Sequence, residues 1–335
     1  MAVRPPPPPH PPSRGTSHLA RPPAFRGMAR AAPSLSATAA SSSTTPAKKK
    51  VLVPIAMGTE EMEAVILAGV LRRAGADVTL ASVEDGLEVE ASRGSRIVAD
   101  KSIAACADQV FDLVALPMTK VDGNLERSIE VNEIEWSSDH NPCVLIPIAN
   151  GSEEMEIIML TNVLRRANVN VVLASVEKST SIVGSQRMRI VADKCISDAS
   201  ASEYDLIILP GGPAGAERLH KSRVLKKLLR EQKQTGRMYG GICSSPVILQ
   251  KQGLLQITAI EIVDQDKTVT AHPSIVNQLM CEVIDRSKVV IDGNLITGMG
   301  LGTVIDFSLA IIKKFFGHGR AKGVANGMVF EYPKS

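Results

Sequence analysis

Cys243, set between Gly240-Gly241-Ile242 and Ser244-Ser245-Pro246, is the residue best placed for chemistry in this 335-residue chain. An apolar run precedes it and helix-forming residues follow. The glycines permit a sharp strand-to-helix turn that presents the side chain over the carboxyl edge of a sheet. A thiol at a helix start is expected to have a lowered pKa and to supply thiolate at neutral pH. The Ser244 amide would face an oxyanion formed there, and Gly211-Gly212 would bring a second backbone donor close. Glu156, in Glu153-Glu154-Met155-Glu156, opens the helix after a short strand whose carboxyl end should lie beside the turn. A carboxyl adjoining a thiolate keeps its proton and serves as general acid or base. Glu154, nearby on the same helix, is expected to point elsewhere. Taken singly, these motifs also read as a small buried cysteine, a solvated first turn and a loop glycine pair; their order and contexts together carry the assignment.

The elements that must position these residues alternate strand and helix. Val144–Ala149 is a buried strand by pattern. Ser152 is expected to cap the next helix, where acidic residues suit the dipole, and Ile157, Leu160, Val163 and Leu164 form its apolar face. Further β-rich runs are Val169–Val176, Met188–Ala192, Tyr204–Pro210, Arg237–Cys243, Thr268–His272 and Val289–Thr297. Helices are expected at Ala214–Gln234 and Val304–Phe316. This order predicts a doubly wound parallel sheet covered on both faces.

Part of this domain occurs twice. Val51–Pro117 aligns with Val144–Pro210 at a constant offset of 93 residues, with 34 of 67 positions identical. After Leu-Pro the copies diverge. A fragment, Val121-Asp-Gly-Asn-Leu125, matches Ile291-Asp-Gly-Asn-Leu295. The spacing from Glu63 to Val121 is 58 residues and from Glu156 to Ile291 is 135, so the first copy lacks 77 residues, including the cysteine turn. It has Glu63 but no elbow and is expected to be catalytically dead. Losing central strands exposes apolar edges, so this half should be poorly ordered or dependent on a partner. The predicted organisation is a leader at 1–50, a truncated copy at 51–117, a linker at 118–143 and a complete domain at 144–335. Gln256–Asp266 is an extra apolar and acidic stretch.

Residues 1–50 hold Pro and Ser runs and eight of the 38 Lys and Arg, while the first acidic residue is Glu60. Such a segment cannot bury enough apolar surface to fold, and its composition matches an organelle transit peptide, plastid in preference to mitochondrion. The alternative is an uncleaved arm on a protein of cytoplasm and nucleus. The formal charge of +3 includes that leader; the remainder carries −5. A mildly acidic body argues against a nucleic-acid surface, and no run approaches the ~20 apolar residues of a membrane span. Five cysteines without paired spacing suit a reduced compartment rather than a disulfide framework or a zinc site.

GSEEMEIIMLTNVLRRA, YDLIILPGGPAGAE, GGICSSP and VVIDGNLITGMGLGT resemble the DJ-1/PfpI family, and the tandem arrangement resembles its plant members. The resemblance spans nearly all of 144–335 and the partial copy. It implies a flavodoxin-like fold, an oxidation-sensitive Cys243 paired with Glu156, and an oxyanion contribution from Gly212. It also implies cofactor-independent glyoxalase (glyoxalase III-type lyase, D-lactate dehydratase), deglycase or redox-chaperone activity, on a small α-oxoaldehyde or glycated substrate, with no metal or glutathione. A pseudo-dimer or homodimer is expected. Three departures stand out: no histidine falls near Cys281 or Glu282, where alignment with the family expects one; His272 in Thr270-Ala271-His272-Pro273 reads as structural; and Gly298-Met299-Gly300-Leu301-Gly302 replaces an arginine-bearing loop. On the leading reading, Cys243 thiolate adds to methylglyoxal or glyoxal, Glu156 shuttles protons through an enediol-like rearrangement, and water gives the hydroxy acid. The competing reading is a redox-sensing chaperone in which Cys243 is oxidised without turnover. A third is an inactive product of aberrant splicing or gene prediction.

Overall fold

Two runs of strands and helices with the same local order build this protein, and only the second completes its sheet. The computed structural model describes residues 48–119, 141–255, 267–279 and 283–332. Most of the leader, the Val121–Leu125 fragment, the Gln256–Asp266 stretch, Cys281 and Glu282 lie outside the described residues.

The first copy comprises β1 (Lys50–Ile55), α1 (Glu61–Arg73), β2 (Asp77–Ser82), β3 (Glu88–Glu90), β4 (Arg96–Val98), β5 (Lys101–Ser102) and β6 (Leu113–Val114). The second repeats this as β7 (Cys143–Ile148), α2 (Glu154–Arg166), β8 (Asn170–Ser175), β9 (Ser181–Val183), β10 (Arg189–Val191), β11 (Lys194–Cys195), α3 (Ile196–Ala199) and β12 (Leu206–Leu209). It continues through α4 (Pro213–Lys221), α5 (Arg223–Gln234), β13 (Met238–Ile242), α6 (Pro246–Lys251), β14 (Thr268–Val269), β15 (Val283–Ile284), β16 (Val289–Asp292), β17 (Leu295–Gly298), α7 (Val304–Phe316) and α8 (His318–Gly327).

The second copy's sheet has the order β11-β8-β7-β12-β13-β17-β16, parallel except for β16. Its core β8-β7-β12-β13-β17 is the 2-1-3-4-5 order of a flavodoxin-like fold. Alternate strand residues feed the two faces. Ile146, Ile208, Ile242 and Ile296 pack with α2 and α7, while Leu145, Ile207, Leu209 and Tyr239 pack with α4, α5 and α6. Among the described residues the first copy's sheet has only the four strands β5-β2-β1-β6. Residues of β1 and α1 nevertheless belong to the same apolar cluster as α2 and α7, so the truncated copy is folded against the complete one.

That packing has a pseudo-twofold relation. β4 pairs antiparallel with β10, joining the β3–β4 and β9–β10 hairpins into one small sheet. Arg73 Nη2 meets Glu153 Oε2 at 2.6 Å, and the equivalent Arg166 Nη2 meets Glu60 Oε1 at 2.9 Å. Arg72 donates to the Gln186 carbonyl, and Arg165 to that of Arg93. Each pair maps on the other by the 93-residue offset, the pattern of an isologous interface.

Four sequence expectations change. Val289–Thr297 is two strands, turned at Gly293 into the hairpin β16–β17. Met188–Ala192 leaves the main sheet for the inter-copy hairpin sheet. Ala214–Gln234 is broken at Ser222, whose side chain accepts from Leu225 N–H to start α5. Ser152 does not cap α2: its hydroxyl accepts from Ala149 N–H, and Glu153 is the N-cap.

Candidate active site

The carboxyl ends of β7 and β12 diverge at the point where the strand order reverses, and this crevice is where open α/β sheets bind ligands. Glu156 enters it from the first turn of α2, Gly211 and Gly212 follow β12, and Cys243 follows β13. The sheet therefore brings together all four expected site residues: Cys243, Glu156, Gly212 and Ser244.

Cys243 is an elbow. Its φ is 61°, a left-handed conformation for a non-glycine residue, which costs about 1–3 kcal/mol and persists only where its surroundings enforce it. They do: Cys243 N–H donates to the Gly298 carbonyl at 3.0 Å, and His272 N–H to the Cys243 carbonyl at 3.0 Å. Ser245 Oγ locks the following turn by donating to the Pro210 carbonyl. α6 itself begins only at Pro246.

Glu156 is 1% exposed. Its Oε2 accepts from Gly211 N–H at 2.7 Å, its carboxyl contacts the Cys243 thiol, and its Oε1 has no hydrogen-bond partner. Burial pushes this carboxyl up to about 7, against the Gly211 bond, which lowers it; the Glu153 charge adds to the rise and Arg73 opposes it. The thiol is pushed up to about 12, first by burial and then by the Glu156 charge, while N–H groups of Gly212 and Ser244 at the sulfur pull the other way. This corrects the expectation of a lowered pKa from the helix start. A six-residue helix beginning three positions away is a weaker influence than burial beside a carboxylate. The two groups titrate as a coupled unit: ionisation of Glu156 raises the proton affinity of the Cys243 sulfur. The thiolate form is then the one with Glu156 protonated and donating to sulfur.

Glycine is required at both donor positions. A Cβ on Gly211 would lie 2.6 Å from Cys243 Cβ and 2.7 Å from Glu156 Oε2. Gly212 has φ 90°, and a Cβ there would meet the Gly151 carbonyl. Glu154 points elsewhere, as expected, but it is no surface group. Its buried carboxylate accepts from Ser185 Oγ, Gln186 N–H and Met188 N–H and so pins the β9–β10 hairpin.

His272, read from sequence as structural, stands at the rim. Its Cδ2 lies 3.3 Å, and Cys243 Sγ 3.8 Å, from the point where a Cβ on Gly300 would sit. Ser274 N–H donates to its Nδ1 at 3.2 Å, which leaves Nε2 to carry the proton of the neutral ring. The Thr-X-His-Pro run was a visible signal, but only the β14 connection carries it back over the elbow. Among the described residues no three His, Cys, Asp or Glu side chains gather as a metal-binding group, and no helix is long and apolar enough to cross a membrane.

The family model described as "DJ-1/PfpI family" matches residues 49–119 and 143–314. Protein DJ-1 homolog B of Arabidopsis thaliana is 31% identical over 404 aligned positions, covering 87% of this chain and 89% of that protein. The alignment is longer than the chain, so that relative carries residues this one lacks. The glutathione-independent glyoxalase DJR-1.2 of Caenorhabditis elegans is 29% identical over 52% of this chain and 88% of its own length. The crystal structure of Drosophila melanogaster DJ-1beta superposes with a TM-score of 0.54 at 32% identity, over 58% of this chain and all of that one.

Proposed function

The chain belongs to the DJ-1/PfpI family, and from that premise and the elbow geometry we propose that it is a cofactor-independent glyoxalase or deglycase acting through Cys243. The observation that carries this reading is a strained thiol against a carboxyl raised to about 7, with two backbone N–H donors at the sulfur. A relative named as a glutathione-independent glyoxalase supports it.

Cys243 sulfur attacks the aldehyde carbon of methylglyoxal, and the carbonyl π electrons move to oxygen. The N–H groups of Gly212 and Ser244 stabilise that oxyanion, which then takes the proton held by Glu156 and leaves it a carboxylate. Glu156, as carboxylate, removes the proton from the former aldehyde carbon, giving an enediol. Return of a proton to the neighbouring carbon yields the lactyl thioester. Water then cleaves the C–S bond, releasing lactate and the thiol. Oxidation at one carbon is matched by reduction at its neighbour, so no outside oxidant enters.

The test is lactate formation from methylglyoxal by the full chain. Cys243→Ser is expected to abolish it; equal turnover by the variant sinks the reading. Retained protection of client proteins from aggregation, without turnover in the unmutated chain, would favour the redox-chaperone alternative. That alternative draws on the orphan Glu156 Oε1, which, protonated, could donate to an oxidised sulfur. Import of a 1–50 fusion into plastids is the corresponding check on the leader.

A further inference from the structure

A side chain of the truncated copy reaches the start of the helix that carries Glu156. Arg73, at the end of α1, places Nη2 2.6 Å from Glu153 Oε2 and Nη1 2.8 Å from Met155 Sδ. Glu153 is the N-cap of α2, and its own N–H donates to the Gly211 carbonyl at 3.0 Å. The Gly211 N–H holds Glu156, and the next N–H, that of Gly212, faces the sulfur. A cation on the first copy is thus tied, through Glu153 and the two peptides that flank Gly211, to both members of the Cys243–Glu156 pair.

We propose that Arg73 is a positioning residue for this pair: it neutralises Glu153 and holds the start of α2 against Gly211, so that the copy without an elbow has a use in the chemistry of the other. The inference rests on Cys243 being the reactive thiol. Glu153 is a like charge that resists ionisation of Glu156, and Arg73 offsets it. The charged or titratable groups around the pair are Glu153 on its own helix start, Arg73 on α1 and His272 across Gly300; Glu154 turns away to the hairpin. The internal control is built into the fold. Arg166–Glu60, with Asn162 also donating to Glu60, is the same ion pair beside Glu63, where no cysteine stands.

The experiment measures iodoacetamide alkylation of Cys243 in the full chain against pH, with the modified peptide quantified by mass spectrometry. No substrate is needed, so failure of the glyoxalase reading leaves the measurement intact. Arg73→Gln is expected to move the alkylation midpoint up by about one pH unit, roughly a tenfold loss of rate at neutral pH. Arg166→Gln is expected to leave the midpoint in place while lowering thermal stability by a similar amount. Glu153→Gln should move the midpoint down, and Arg73→Gln/Glu153→Gln should return it towards the unmutated value. Equal shifts for Arg73→Gln and Arg166→Gln, or no shift for Arg73→Gln, overturn the proposal. If Arg73→Gln does not fold, the double variant decides: a midpoint displaced upward in that neutral pair refutes action through Glu153. Slow Cys243 alkylation in the unmutated chain, with Cys143 or Cys195 faster, refutes the nucleophile assignment itself.

Discussion

Glu63 and Glu156 occupy the same position on α1 and α2 and make the same bond. Met118 N–H donates to Glu63 Oε2 at 2.7 Å, as Gly211 N–H does to Glu156 Oε2. Yet Glu63 is exposed and Glu156 is buried. The local trap for a carboxyl is therefore encoded by the strand-helix-strand unit that both copies keep. The environment that makes the carboxyl chemically useful comes from β13, the elbow and α7, which the first copy lacks. The backbone equivalence runs one residue past the last shared proline: Glu60 N–H bonds the Met118 carbonyl as Glu153 N–H bonds that of Gly211. Met118 is tolerated where glycine is required in the second copy, because no cysteine faces it. The same contrast holds at the sheet edge. Leu206 and Ile207 on β12 are fully buried, whereas Leu113 and Val114 on β6 are 47% and 51% exposed.

The largest expected difference between the copies is catalytic. Glu156→Gln should lower methylglyoxal turnover by about 10²–10⁴-fold, the usual worth of a positioned proton shuttle, while Glu63→Gln should leave it unchanged. A comparable loss from both, measured as initial lactate release, would erase the distinction between live and dead sites. Next in size is the core: Leu206→Ala should cost about 2–5 kcal/mol and Leu113→Ala within about 0.5 kcal/mol, read from urea unfolding.

The third test uses pH. Glu156 has a folded pKa of about 7 against an ordinary 4.5. Between those values the unfolded chain releases a proton that the folded chain keeps, so stability falls as pH rises, on the order of 3 kcal/mol from this group. Glu156→Gln should flatten the stability profile across that window and Glu63→Gln should not; an unaltered slope in Glu156→Gln would show that the carboxyl is not held protonated. The smallest effect is steric. Gly211→Ala should destabilise by about 1–3 kcal/mol through overpacking and slow Cys243 alkylation, while Met118→Ala should do neither.

Much of this was written in one dimension. The 93-residue offset, the β–α alternation, the GGICSSP turn and the order of EEME, GG and Cys each reflect local chain geometry, and local geometry is what residue type and spacing dictate. The helix Val304–Phe316 was legible from its apolar periodicity alone. What the sequence left undetermined were quantities that depend on neighbours distant along the chain. The thiol's proton affinity is set by burial against α2, not by the helix it precedes. His272 reaches the elbow only because β14 returns over it. Met188–Ala192 pairs across copies because β4 presents a matching edge. Whether a truncated repeat would fold was decided by the apolar cluster it shares with α2 and α7. Propensity acts through the bonds next door, whereas charge, burial and pairing depend on what the whole fold brings alongside.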